Sequence, residues 1–181
     1  MDDLTRLSRF LSYILRHKPE AVGLTMGKNG WVDVAELIEK AQKHGKPLSP
    51  DILTTIVQQD EKQRYSFNSD LTQIRANQGH SVPIDLGLHP IKPPQFLYHG
   101  TAVHHLESIS RQGLQKQKRH HVHLSEDRKT AKSVGSRYGK PVILTISAGE
   151  MFKQGCLFYM SENRVWLTDQ VLPHYISFPE N

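Results

Sequence analysis

The sequence predicts an α+β protein whose two halves are built differently. Three segments with helical spacing of apolar residues, followed by a hairpin, occupy residues 1–82, while short apolar strands dominate residues 96–181. A proline-rich connection, residues 83–95, separates the two patterns.

In the first segment Leu4, Leu7, Leu11, Ile14 and Leu15 recur at helical spacing, and Asp2 and Asp3 suit the positive N-terminal end of a helix. Pro19 disfavours helix at Lys18, so the helix is expected to end near Arg16. After the turn-forming GKNG, Asp33 can cap a second helix through VAELIEKAQKHG. Ser49, with Pro50 at the first helical position, opens a third through DILTTIVQQD. RYSF and LTQIRA then alternate around the turn NSD, as a hairpin does. Three helices followed by a hairpin is the plan of a winged-helix domain, a common nucleic-acid-binding architecture.

The stretch VPIDLGLHPIKPPQ carries Pro83, Pro90, Pro93 and Pro94, which restrict the backbone and favour an extended linker. Beyond it FLYHGT, HVHLS, PVILTIS, CLFYM, VWLT and YISF read as strands, with helical stretches near residues 106–113 and 128–134. The second lobe is therefore expected to be mostly antiparallel β with helices between strands.

Composition bounds the function. A length of 181 residues with 37% hydrophobic content suffices for one large domain or two small ones. The formal net charge of +5 and 11 histidines favour a polyanionic partner, nucleic acid first. A lone Cys156 allows neither an internal disulfide nor a cysteine zinc cluster, which suits a reducing cytoplasm, the expected location. No apolar run is long enough to span a bilayer, and MDDLTRLSRF lacks the basic start and apolar block of a signal peptide, so no membrane partner is expected.

Chemistry is sought where polar residues interrupt these patterns. Arg16 and His17 sit at a helix end, where cations alone stabilise the negative pole by roughly 0.3–1 kcal/mol. Arg64 opens the hairpin, and IRANQGHS gathers Arg75, Gln78, His80 and Ser81 around Gly79, a candidate phosphate cradle. In YHGT, Gly100 permits close backbone approach while His99 and Thr101 offer hydrogen bonds. KQKRHHVHLSED concentrates Arg119, His120, His121, His123 and Ser125, and strand alternation puts His121, His123 and Ser125 on one face. Without an H-E-x-x-H helix or cysteine pairs, these histidines are read as hydrogen-bonding and acid-base groups, and no metal is expected.

The segments LSYILRHKPE, GWVDVAELI, DEKQRYSF, IRANQGHS, LYHGT, RHHVHLSED and FYMSENRVWLT follow one another in the order found in the NAD-dependent RNA 2′-phosphotransferase family of KptA type. The chain resembles that family over nearly its whole length. The resemblance implies a winged-helix lobe joined to a lobe like that of ADP-ribosyltransferases, with the substrates meeting between them. It also implies the reaction. An RNA 2′-phosphate, such as that left at a tRNA splice junction, attacks C1″ of the nicotinamide ribose and expels nicotinamide, giving a 2′-phospho-ADP-ribosylated RNA. The ribose 2″-hydroxyl then attacks the phosphorus, releasing 2′-hydroxyl RNA and ADP-ribose 1″,2″-cyclic phosphate without a metal.

By the same resemblance the phosphate-handling quartet falls on Arg16, His17, Arg64 and Arg119, with His17 the candidate to protonate the departing 2′-oxygen. His99 matches the first-strand histidine of ADP-ribosyltransferases and His123 the second-strand position. Val165 falls where the protein-modifying enzymes often carry Glu, a departure that suits an acceptor which is already anionic. Gly100, Thr101 and Ser125 are expected at the NAD riboses or pyrophosphate, with Ser108, Ile109, Gly113 and Leu114 nearby, although helix packing and capping also account for these four. The expected partners are NAD as co-substrate and a tRNA-like RNA, and the expected state is a monomer. An ADP-ribosyltransferase acting on phosphorylated nucleic-acid ends is an alternative that the residues leave open, whereas one acting on protein would leave Arg16, His17 and Arg64 without a role. A winged-helix regulator would leave YHGT and RHHVHLS without one.

Overall fold

The computed structural model describes residues 3–179, so the expectation for Asp2 lies outside the described residues. Contacts divide the chain into two units, one ending at Gly87 and the other starting at Leu88. The fold class is α+β, and among the described residues every strand pairing is antiparallel.

In the first unit α1 (Asp3–Arg16) buries one face through Leu7, Leu11, Ile14 and Leu15. A two-residue strand β1 (Val32–Asp33) precedes α2 (Val34–Lys43), whose cap is Asp33: its Oδ1 accepts the Glu36 N–H at 2.8 Å. In α3 (Pro50–Gln59) the Ser49 hydroxyl accepts the Ile52 N–H at 3.2 Å, with proline at the helix start. The hairpin is β2 (Tyr65–Phe67) and β3 (Gln73–Ala76). Strand β1 adds to its far side to give the order β1-β3-β2, an addition that a two-residue strand does not announce in sequence. Leu37, Leu53, Ile56 and Ile74 close the core over α1, and the Tyr65 hydroxyl donates to the Ser8 carbonyl at 2.8 Å.

The second unit begins with β4 (Leu97–Ala102), then α4 (Leu106–Gln112), β5 (Leu114–Gln115), β6 (Val122–Leu124), α5 (Arg128–Gly135), β7 (Pro141–Ile146), α6 (Ala148–Lys153), β8 (Phe158–Met160), β9 (Trp166–Thr168), β10 (Gln170–Val171) and β11 (Ile176–Ser177). Two three-stranded sheets, β11-β7-β4 and β6-β9-β8, are joined by a bridge between Tyr98 and Ser125, and β5 pairs with β10. Leu97, Leu144, Ile146, Leu124, Phe158 and Trp166 supply the core between them.

Helix α5 lies so close on β4 that only glycine fits. A Cβ at Gly100 would stand 1.6 Å from the Ala131 carbonyl oxygen, and one at Gly135 would stand 2.7 Å from that of Thr101. The close backbone approach read from YHGT is thus satisfied by a helix of the same unit. Strand alternation then turns Tyr98 and Gly100 toward α5 and His99 to the opposite face. Gly100→Ala is expected to destabilise the protein by about 3 kcal/mol or more, because the neighbouring atom is backbone and cannot rotate away. Urea unfolding checks this, and an unchanged midpoint would mean that α5 can shift.

Candidate functional site

In the first unit the site grows from the end of α1. The Arg16 carbonyl accepts the N–H groups of Ser81 and Val82 at 2.9 and 3.4 Å, which fastens the loop after β3 onto the helix terminus. His17, exposed, shares a 2.9 Å hydrogen bond between Nδ1 and the Ser81 hydroxyl. The Arg16 guanidinium lies along Gly79, where a Cβ would stand 3.6 Å from Nη1; with φ +88 at that residue, glycine is suited on both counts.

Arg64 joins this cluster through the hairpin. Its carbonyl accepts the Asn77 N–H at 2.8 Å, two residues before Gly79. Asp60, whose side chain is only 5% exposed, holds Arg64 twice: it accepts the Arg64 backbone N–H at 2.6 Å and forms an ion pair with Nη1. Arg64 itself is held with 30% of its side chain exposed, so a fixed guanidinium faces outward at the hairpin entrance. The other cradle candidates are used differently. Arg75 stacks on the Trp31 ring at 4.5 Å and donates to the Asn29 carbonyl at 3.5 Å, while His80 is buried beside Gly30. Gln78 is half-buried between Asn77 and Gly79.

In the second unit the His99 ring is hydrogen-bonded to the backbone of His123. The His123 carbonyl can only accept, so His99 Nδ1, at 3.0 Å, carries the proton and leaves Nε2 as an acceptor in the neutral ring. Arg119 Nη1 can only donate, so His123 Nδ1, at 3.2 Å, accepts and its proton sits on Nε2. Packing shields the His99 ring from water and pushes its pKa down, opposed by the bond to the His123 carbonyl and assisted by the Arg119 charge. One ring thus offers an acceptor and its neighbour a donor, the complement of a pair of hydroxyls.

The remaining second-unit candidates surround or support this pair. Thr101 is buried on β4, and Ser125 exchanges backbone hydrogen bonds with Tyr98 at 2.8 and 2.9 Å. Val165, half-buried, closes a turn with its N–H on the Ser161 hydroxyl; continuing the β6–β9 register sets it opposite Ser125. Ser108 donates to the His105 carbonyl, Ile109 and Leu114 lie in the core, and a Cβ at Gly113 would meet the Val171 carbonyl at 1.9 Å. These four carry packing and turn geometry. His121 packs at a tilt beside Tyr159, with ring centroids 5.5 Å apart, and is also pushed below its ordinary pKa, first by burial and then by His120 and Lys116. Among the described residues no group of three His, Cys, Asp or Glu could hold a metal ion, and no helix is long and apolar enough to cross a membrane.

The model of the RNA 2′-phosphotransferase, Tpt1/KptA family matches residues 2–170. The chain belongs to that family. It is 51% identical over 172 residues to a Flavobacterium johnsoniae protein named "Probable RNA 2′-phosphotransferase", covering 95% of this chain and 94% of that one. A protein of the same name from Fusobacterium nucleatum is 51% identical, covering 98% of this chain and 100% of the relative. One from Escherichia coli O45:K1 is 49% identical, at 98% and 92% coverage. As an RNA 2′-phosphotransferase family member the chain is a transferase.

Sequence reasoning missed Asp60 in this family member. Its carboxylate stands four residues before Arg64 across a non-helical turn, where spacing rules for helices give no signal. The neutral His99 ring also sets a pH dependence. A histidine whose folded pKa is depressed contributes stability above its unfolded value near 6.5, and that contribution is lost as pH falls. Between pH 7.5 and 5.5 it amounts to at most about 1.4 kcal/mol, with His121 acting in the same direction. Glu39, Asp70 and Asp127 are held below their ordinary values and titrate below this window. Urea unfolding at the two pH values should show lower stability in acid, and His99→Asn, which keeps a donor for the His123 carbonyl, should remove part of the difference.

Proposed function

We propose that the chain is an NAD-dependent RNA 2′-phosphotransferase: it removes an internal 2′-phosphate from a tRNA-like RNA, leaving a 2′-hydroxyl and releasing nicotinamide and ADP-ribose 1″,2″-cyclic phosphate. In this reading it works in the cytoplasm as a monomer. The observation that carries the reading is the fastening of Arg16 and His17 to the Gly79–Ser81 loop, with Arg64 anchored through Asn77 and Asp60, in a member of this family. The order helix, strand, helix, helix, hairpin supports a winged-helix first unit. The bridged antiparallel sheets with His99 and His123 on strands β4 and β6 support an ADP-ribosyltransferase-like second unit.

A 2′-phosphate monoester carries nearly two negative charges at neutral pH, by analogy with phosphorylated side chains. Guanidinium forks bind such oxygens in pairs and stay charged, which is the task assigned to Arg16, Arg64 and Arg119. NAD, when bound, supplies an electrophilic ribose carbon with nicotinamide as leaving group. The residues present fit it. His99 Nε2 would accept from one ribose hydroxyl and His123 Nε2–H would donate to the other, with Arg119 fixing the His123 tautomer. Thr101, on the His99 side of β4, and Ser125 are assigned to the NAD riboses or pyrophosphate, whereas Gly100 packs on α5 at the opposite face and contributes only the position of the strand. The apolar Val165 suits an acceptor that is already anionic and needs no carboxylate to activate it. In the second step His17 delivers a proton to the RNA 2′-oxygen as the P–O bond breaks, and Ser81 holds its ring in line. Gln78 and the Gly79 backbone complete the phosphate cradle; Arg75 and His80 support it from beneath.

The deciding experiment incubates the protein with NAD and an RNA bearing one internal 2′-phosphate and follows nicotinamide and ADP-ribose cyclic phosphate. Their absence with folded protein contradicts the reading. Arg64→Ala is expected to lower kcat/KM for this RNA by about 10²–10³-fold while calorimetric affinity for NAD alone stays unchanged. An equal loss of NAD affinity would remove Arg64 from phosphate handling.

A further inference from the structure

Residues 128–140, helix α5 and the turn that follows it, contain Arg128, Lys129, Lys132, Arg137 and Lys140 and no Asp or Glu, a formal charge equal to the +5 of the entire chain. All five side chains are exposed. Among the described residues none of them forms an ion pair, whereas cations elsewhere do: Arg6 with Asp3, Lys43 with Glu39, Arg111 with Glu107, Lys116 with Asp169. The two acids just before the helix are committed. Glu126 accepts from Trp166 Nε1 at 3.1 Å and pairs with Arg164 at 3.5 Å, while Asp127 caps α5 by accepting the Thr130 N–H at 2.7 Å.

Ala131 and Gly135 are buried against β4, so Lys129 lies on the far side of α5, Lys132 on its flank and Arg128 at the edge next to the sheet, and all three side chains are exposed. Arg128 lies over the Tyr98 ring at 5.5 Å. At the other end the Val103 N–H donates to the Lys140 carbonyl at 3.2 Å, and Gly139 lies next to His104, so an exposed histidine extends the basic face. Asp127 attracts Lys129, but the other four cations form no ion pair among the described residues, and charge concentrated in this way costs self-repulsion unless a polyanion covers it. A lipid surface would need an apolar helix face, and that of α5 is already packed into the sheet. The large exposed aromatic of the segment is Tyr138, 52% exposed between Arg137 and Lys140, a platform on which a base can stack.

We propose that this face, α5 with its following turn, binds the phosphodiester backbone of single-stranded RNA away from the reacting nucleotide, with Tyr138 stacking on a base. The inference rests on the reading of the substrate as RNA, but its test does not depend on the reaction. Binding of an unphosphorylated RNA of about 16 nucleotides, a length at the upper end of common single-strand sites, is measured without NAD across a range of salt. The triple variant Lys129→Gln, Lys132→Gln, Arg137→Gln is expected to bind about tenfold more weakly, with the log–log salt slope reduced by about 2, because three phosphate contacts are lost. Tyr138→Ala is expected to weaken binding with the slope unchanged. Turnover of a minimal trinucleotide carrying the 2′-phosphate should stay at the wild-type rate in both variants, which separates this face from the reaction site. An unaltered affinity and slope in the folded triple variant overturns the proposal, and so does wild-type binding to anionic vesicles tighter than to RNA.

Discussion

The fastening of the loop after β3 to the end of α1 is the constraint on which the first unit's chemistry depends. A helix terminus leaves carbonyls without intrahelical partners, and Arg16 resolves this by accepting from Ser81 and Val82. That bond sets where Gly79 runs, and hence the wall against which the Arg16 guanidinium lies. It also brings the Ser81 hydroxyl to His17. Since Asn77 precedes this loop and holds the Arg64 carbonyl, the hairpin entrance is tied into the same arrangement. Cations gathered in this way repel one another. Asp60 offsets part of that repulsion from beneath while leaving one edge of Arg64 outward.

The second unit holds one histidine in its neutral form and orients a second. Shielding from water favours the uncharged His99, and an Arg neighbour favours it further. The same Arg119 points a donor at His123 Nδ1, so one side chain disfavours charge on His99 and orients the ring of His123. All of this hangs on β4, whose position is set by the glycine contact with α5. Gly100 and Gly135 therefore serve the polar pair on one side of the strand and the basic face on the other.

Much of this was legible in sequence because it obeys local rules. The caps at Asp33 and Ser49, the end of α1 before Pro19 and the hairpin around NSD follow from spacing and residue chemistry, and the structure has them. The exposed side of β6 was equally plain, since Val122 and Leu124 turn inward and leave His123 outward. What was hidden is non-local or too short. Strands β1, β5 and β10 have two residues each, too few for a period, and α6 follows β7 with a single residue between them. Gly100 was read as a place of close approach, but nothing in YHGT says that Ala131 is the neighbour. Asp60 and the stacking of Arg75 on Trp31 depend on tertiary packing that no spacing reports.

The central claim is that the end of α1 acts on the phosphorus and not on the ribose, and one comparison tests it most directly. With His17→Ala, NAD and an RNA carrying an internal 2′-phosphate, nicotinamide release and formation of 2′-hydroxyl RNA are followed separately in a single turnover. The account predicts that nicotinamide release persists while formation of 2′-hydroxyl RNA slows by about 10²-fold or more, the usual contribution of a general acid. Equal slowing of both steps, or neither, would contradict it.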